Sequence, residues 1–387
     1  MIYLIIAIFI LFAVFHFDIL GNSKGKKYYM FSLYVIFVLL YGFRYRVGGD
    51  ALSYEDSYRF MPTFRDIGSY GLYYKDYLYA FQPLWLLLIA TAKSIGKEFY
   101  VFQFVHAIII NGLILTYLIK YSNKPFSVLF LLFITHYYFY LTIEIEREVL
   151  AVGVFLFNIK NLTNRKWVAY YILAAISFLF HISAIILFFF PLLIIFNITR
   201  KNLILIVLAC TPLIFFKEFF LALLKPFLVM ELMEKKMEDY NEIELSIAGV
   251  IFNYIMRVIL IFPLYFYYNN KKYDEYKWLF NAVIIFSVLS LGLVGFERFL
   301  NYLIIPFTSV FIDFLYDTKF KKEKIFAYSM IALFTFLNIC SVVPRRLITT
   351  NNKGNPYYVL FFPYVSIFDK KIIYEREKYM FDNWSKK

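Results

Sequence analysis

The sequence predicts an all-α polytopic membrane protein, and three observations carry that prediction. Of 387 residues, 62% are hydrophobic and only 17% charged, with a mean hydropathy of +0.66, well outside the usage of soluble domains. Apolar runs recur from Ile2 to Val343, each near the roughly 20 residues that cross a bilayer as a helix. None alternates polar with apolar residues as barrel strands do.

The elements follow in order. About 12 crossings are predicted, at 2–20, 28–43, 98–119, 126–143, 147–160, 167–181, 183–197, 202–220, 247–268, 277–295, 299–316 and 325–343. The first run, IYLIIAIFILFAVF, lacks a basic leader and a small-residue cleavage pattern, so it reads as a retained span. The stretch FQPLWLLLIATA from Phe81 is bounded by Pro83 and soon broken by Lys93 and Gly96. It suits a re-entrant or interfacial helix, and its status decides which side every later loop faces. If it does not cross, Lys24, Lys26 and Lys27; Lys120 and Lys124; Lys160, Arg165 and Lys166; Arg200 and Lys201; Lys271 and Lys272; and Lys319, Lys321, Lys322 and Lys324 share one face. The positive-inside rule makes that face cytoplasmic.

The opposite face then receives the 44–97 loop with its short helix, the EIERE cluster at Glu144–Glu148, His181, an acid-rich loop at 221–246, and Glu297 with Arg298. Residues 1–387 read as a single membrane domain with no separate soluble part. The tail at 344–387 contains the apolar PYYVLFFPYVSIF, which dips into the membrane or crosses it.

A formal charge of +13 in a soluble protein would raise nucleic acid as a partner; here the basic residues lie in short loops and report orientation in the bilayer. Cys210 and Cys340 sit inside apolar runs without metal or disulfide spacing. His16, His106 and His136 are scattered, so no metal site and no cofactor are expected. Nucleotide, hydrolase and zinc-protease motifs are absent. The sequons at Asn161 and Asn197 fall in loops assigned to the cytoplasm.

Charged constellations on the outward face are the candidate site. In FRYRVGGDALSY, Arg44, Arg46 and Asp50 surround Gly48 and Gly49, where glycine lets the backbone turn sharply. Two arginines there could clamp phosphate; the alternative is snorkelling to lipid headgroups, paired with Asp50, Glu55 or Asp56. In TIEIEREVLAVGV, a continuous helix places Glu144, Arg147 and Glu148 on one face and turns Glu146 away. Charges at membrane depth cost about 3 kcal/mol each, so they face a cavity or one another; the alternative is an interfacial ion pair. His181 is embedded in AISFLFHISAIILFFF, an apolar run that suits a turn between two half-length helices. Its imidazole is a candidate base or donor near neutral pH, or simply bonds a neighbouring helix. Glu297, Arg298, Asn301 and Tyr302 open a later span, and Arg257 lies inside an apolar run where it needs a partner, Glu144 or Glu148. Arg345 and Arg346 complete the outward arginines.

FRYRVGGDALSY resembles the signature of EpsG-like, Wzy-type polysaccharide polymerases, and EREVLAVGVFLFNIK, AISFLFHISAIILFFFPL and FERFLNYLIIP resemble later blocks of that family in the same order. Arg44, Gly48, Asp50 and Tyr54 match the first signature, and Arg147, His181 and Arg298 the later ones. Gly49 replaces a small hydroxyl residue common before the aspartate, and Glu148 replaces a glutamine that often follows the arginine. The resemblance implies a GT-C-like helical arrangement in a bacterial inner membrane. The implied reaction moves a growing glycan from undecaprenyl diphosphate onto another lipid-linked repeat unit at the outer face. A flippase and a chain-length regulator are the implied protein partners.

Under that reading Arg44, Arg46, Arg147 and Arg298 grip the donor diphosphate, whose charge grows in the transition state. Gly48, Tyr54, Arg257, Asn301 and Tyr302 line the substrate. The acceptor hydroxyl needs a base: His181, or one carboxylate among Asp50, Glu144 and Glu148. The alternatives are a flippase or transporter of lipid-linked glycan, for which the expected pseudo-symmetric halves are not visible, and a membrane acyltransferase using His181.

Overall fold

The computed structural model describes residues 1–66, 82–196, 198–224, 247–262, 265, 274–316 and 357–384. Among them the regular structure is entirely helical, with one isolated antiparallel bridge between Arg44 and Ser366. In chain order the helices are α1 (Ile2–Ala13), α2 (Lys26–Gly42), α3 (Ala51–Phe60), α4 (Pro83–Ile95), α5 (Phe99–Tyr121), α6 (Pro125–Ile134), α7 (Glu146–Thr163) and α8 (Trp167–Phe180). They continue with α9 (Phe190–Ile195), α10 (Arg200–Cys210), α11 (Lys217–Leu224), α12 (Ile247–Arg257), α13 (Asp274–Gly292), α14 (Glu297–Tyr316) and α15 (Tyr374–Trp384).

Local chemistry sets several of these boundaries. Pro83 and Pro125 open α4 and α6, where the missing N–H would have no helical partner. Thr199 caps α10 by accepting the Asn202 N–H. Helix α7 begins with Glu146 and Glu148 and ends near Lys160, matching the helix dipole at both ends. A π turn, Val14–Ile19, extends α1 and carries the buried Asp18 to the start of α6. There its carboxylate accepts the Ser127 N–H at 2.7 Å and the Ser127 hydroxyl at 2.9 Å, capping a helix distant in sequence.

The chain divides into two compact units. The first comprises Met1–Phe157, Ala175–Ile182 and Asn338–Lys387; the second comprises Asn158–Ala174 and Ser183–Leu337. In the first, α2 packs along α5, α1 on α6 and α4 on α5. Ile10, Leu33, Phe37, Ile110, Ile114 and Phe126 are sealed between these helices. The other side of α1 exposes Leu4, Ile5, Ile8, Leu11 and Phe12, and the π turn that extends it exposes Phe15, an apolar face of the kind that lipid covers. In the second unit, α13 packs on α14, α10 and α12.

Fewer described helices satisfy the length of a crossing than the sequence predicts. Among the described residues, Ile2–Ile19 and Phe99–Tyr121 are long and apolar enough, and Pro125–Ile134 with Tyr137–Glu144 makes a third if its 86° bend belongs to one span. Several other apolar runs are interrupted, while others form shorter unbroken helices such as α8. His136 takes a positive φ of 58° between the two halves of the bent pair. The predicted span 183–197 divides into a 3₁₀ segment, Ile182–Phe189, followed by α9. The span 202–220 divides at Thr211–Ile214, where Pro212 cannot donate to a helix. The predicted span at 325–343, most of the acid-rich loop, and Arg345 and Arg346 lie outside the described residues.

Helix α4 has 13 residues, about 20 Å at 1.5 Å per residue, well short of a 30 Å hydrocarbon core. The described part of the tail does not form a long helix either. It consists of a 3₁₀ turn, Tyr357–Leu360, an extended stretch and α15, laid against the segment between α2 and α3.

Candidate functional site

The first unit brings three distant stretches of sequence together. The 43–50 segment leaves α2 and enters α3; the 144–148 segment enters α7; and His181 ends α8. The predicted continuous helix through 144–148 is interrupted at Ile145 (φ −109°, ψ 50°), between a π turn, Tyr140–Glu144, and α7. The break redistributes the charges. Glu146, expected to face away, is fully buried and pairs with Arg44 Nη2. Arg44 Nη1 also donates to the Tyr41 carbonyl at 2.5 Å. His106, one of the scattered histidines of the sequence, donates from Nε2 to the Glu146 carbonyl at 2.8 Å.

Glu144 holds the glycine turn. Its Oε1 accepts the Gly49 N–H at 2.6 Å. Gly48 has φ +108°, and a Cβ there would collide with Ile143 Cγ2; only glycine meets both conditions without strain. At Gly49 an added Cβ would stand 2.9 Å from Glu144 Oε2. The glycine pair therefore serves as a close approach between two loops.

Glu146 lies in the turn between the predicted crossings 126–143 and 147–160. Burial pushes its carboxyl up to about 7; Arg44 opposes this, while Asp50 and Glu144 reinforce it. Tyr54 hydrogen-bonds Arg147 and lies within electrostatic reach of Glu146 and Asp50. Burial lifts its phenol well above the ordinary range, with Arg147 pulling the other way. Arg147 itself is half-buried. His181 Nδ1 stands 3.9 Å from Glu148 Oε2, with both side chains buried. Protonation of the ring makes that contact an ion pair.

Arg46 is half-exposed and takes a positive φ of 50°. It donates to Glu55 Oε2 at 3.0 Å and to Glu377 Oε1 at 2.5 Å. Burial works against its charge, but the two carboxylates more than offset that and hold it firmly protonated.

The tail was legible only as an apolar stretch with a basic end, yet it completes this region. Tyr45 N–H donates to Val365 O and Ile367 N–H to Phe43 O, both at 2.9 Å, and Gly48 N–H donates to Leu360 O at 3.0 Å. Arg376 is fully buried; Nε donates to Val359 O at 2.8 Å, Nη1 to Arg46 O at 3.3 Å, and Nη2 to Pro363 O. Burial lowers its pKa to about 10, so it remains charged. The charged guanidinium fork thus fastens three backbone carbonyls from two loops through hydrogen bonds.

The remaining sequence candidates belong to the second unit. Arg257 Nη2 pairs with Glu297 Oε1 at 2.8 Å, instead of with Glu144 or Glu148. Arg298, Asn301 and Tyr302 occupy the first turns of α14. Asn301 and Tyr302 are buried, and the Tyr302 hydroxyl lies 2.8 Å from that of Ser183. No group of three or more potential metal ligands occurs among the described residues.

The sequence model of the EpsG family matches residues 27–371. No curated protein and no solved structure matches the chain.

Proposed function

Because the chain belongs to the EpsG family, we propose that it polymerises polyprenyl-diphosphate-linked oligosaccharide repeat units into a surface polysaccharide. The reaction takes place at the outer face of a bacterial inner membrane, which the chain crosses many times. The observation that carries this reading is the convergence of Arg44, Gly48, Asp50, Tyr54, Arg147, Glu148 and His181 in one compact unit, from three stretches spread over more than a hundred positions.

The geometry suggests a division of labour. Arg44 is committed to Glu146 and Tyr41, so it positions the turn instead of reaching substrate. Half-buried Arg147, oriented by Tyr54, contacts the donor diphosphate. As the bond between the donor sugar's anomeric carbon and the diphosphate breaks, the departing oxygens gain charge that a preorganised guanidinium stabilises. His181 accepts the proton of the attacking acceptor hydroxyl, and Glu148 stabilises the imidazolium that results. Asp50, near Tyr54 and Glu146, orients this arrangement. Arg46 contributes a further substrate contact, whereas Arg257, Arg298, Asn301 and Tyr302, the other sequence candidates, belong to the second unit.

The test is reconstitution. Purified protein given lipid-linked repeat units, without added metal, should make a ladder of products, and Arg147→Ala should abolish extension at normal protein abundance. Unextended substrate from the unaltered protein would overturn the proposal.

A further inference from the structure

A cavity of about 310 Å³ opens in the first unit beside this cluster, between the ends of α3 and α5 and the folded tail. It is at the small end of the roughly 300–1,000 Å³ typical of ligand pockets. Its lining includes Gln103, Tyr58, Tyr100, Arg59, Lys97 and Lys370. Gln103 is the informative residue. Its side chain is only 3% exposed, yet it makes no hydrogen bond among the described residues. Its amide faces a cavity large enough for a ligand to satisfy it.

The surroundings narrow the ligand class. Tyr58 is fixed by its hydroxyl, which donates to the Gly96 carbonyl at 2.9 Å, and by its ring contact with Phe99 at 5.6 Å. It supplies a rigid aromatic wall. Glu55 is shared by Arg46 and Arg59, leaving planar groups with spare donors and acceptors at the rim. Lys97 and Lys370 are exposed and have no ion-pair partner among the described residues, while Glu98 offsets part of their charge. An amide for paired hydroxyls, aromatic walls for the apolar face of a ring, and ammonium groups at the edge suit a pyranose carrying a carboxylate. We infer that the cavity around Gln103 binds an acidic sugar residue of the acceptor glycan, with Gln103 reading hydroxyls and Lys97 and Lys370 reading the carboxylate. The inference deepens the polymerase reading and rests on it for the identity of the glycan as acceptor.

The experiment measures equilibrium binding of digalacturonate and neutral digalactose to the full chain in phosphatidylcholine nanodiscs. Digalacturonate should bind about fivefold more tightly at low salt, an advantage that salt erodes. Gln103→Met, close in volume, should weaken both sugars by about tenfold. Lys97→Gln with Lys370→Gln, at exposed positions that do not endanger folding, should equalise the two sugars. Absence of saturable binding, or binding indifferent to both sets of changes, overturns the inference. Loss of sugar binding in phosphatidylglycerol nanodiscs would assign the cavity to a lipid headgroup and overturn it equally. Sugar binding that responds as expected in a protein that makes no product ladder would overturn the polymerase reading and leave the saccharide site standing. A ladder from a protein that binds neither sugar would do the reverse.

Discussion

The two arginine–glutamate pairs Arg44–Glu146 and Arg257–Glu297 differ in their surroundings. The first is sealed, with both side chains 1% exposed; the second is open, at 33% and 48%. In the sequence both arginines adjoin or interrupt apolar runs and look equally costly. In the fold, Arg44 and Glu146 join two loops that must be in register for the glycine turn to seat, whereas Arg257 and Glu297 join the end of α12 to the start of α14 where water can screen them. A buried pair contributes little net stability over an apolar one, but losing one partner strands a charge. The value of Arg44–Glu146 is therefore geometric.

Substitution separates the pairs most sharply. Arg44→Ala should lower stability by about 3–5 kcal/mol, read as a large fall in the melting midpoint of purified protein. The double change Arg44→Met with Glu146→Leu should recover much of that loss while leaving chain extension impaired. Gly48→Ala comes next, at about 1–3 kcal/mol, because alanine must adopt a positive φ against Ile143. Recovery by Ile143→Ala would confirm the collision. Arg257→Ala should cost no more than about 1 kcal/mol; a drop as large as that of Arg44→Ala would erase the contrast.

A further effect follows pH. The Glu146 carboxyl is raised by folding from its ordinary value of 4.5 to about 7, so the folded state holds a proton that the unfolded state releases. That contribution is fully present below about pH 4.5 and is lost as pH rises through 7. The melting midpoint should fall across that interval, and Glu146→Gln should flatten the slope.

Much of this site was legible in the sequence. The glycine pair after Arg46, the charged cluster at 144–148 and the break at His181 are local signals, and each lies where the chain turns. Glu146 was misjudged because a 3.6-residue period was carried through Ile145, which is not helical. Nothing in the sequence around His106 signals its role, because its partner is a carbonyl 40 positions away. Nothing local reveals that Arg376 and Glu377 reach back to Arg46, since those contacts span 330 and 331 positions. The heptad-like spacing of Arg376, Tyr379 and Met380, all buried on one side of α15, was the available hint that this basic tail had a partner.

The backbone contacts that join Phe43–Gly48 to Leu360–Ile367 impose a counting rule on everything threaded between them. If both segments lie in one aqueous compartment, the chain between Phe43 and Leu360 traverses the bilayer an even number of times. The ten traversals predicted from 98–119 to 325–343 obey that parity, and adding α4 as an eleventh would strand the two partners in opposite compartments.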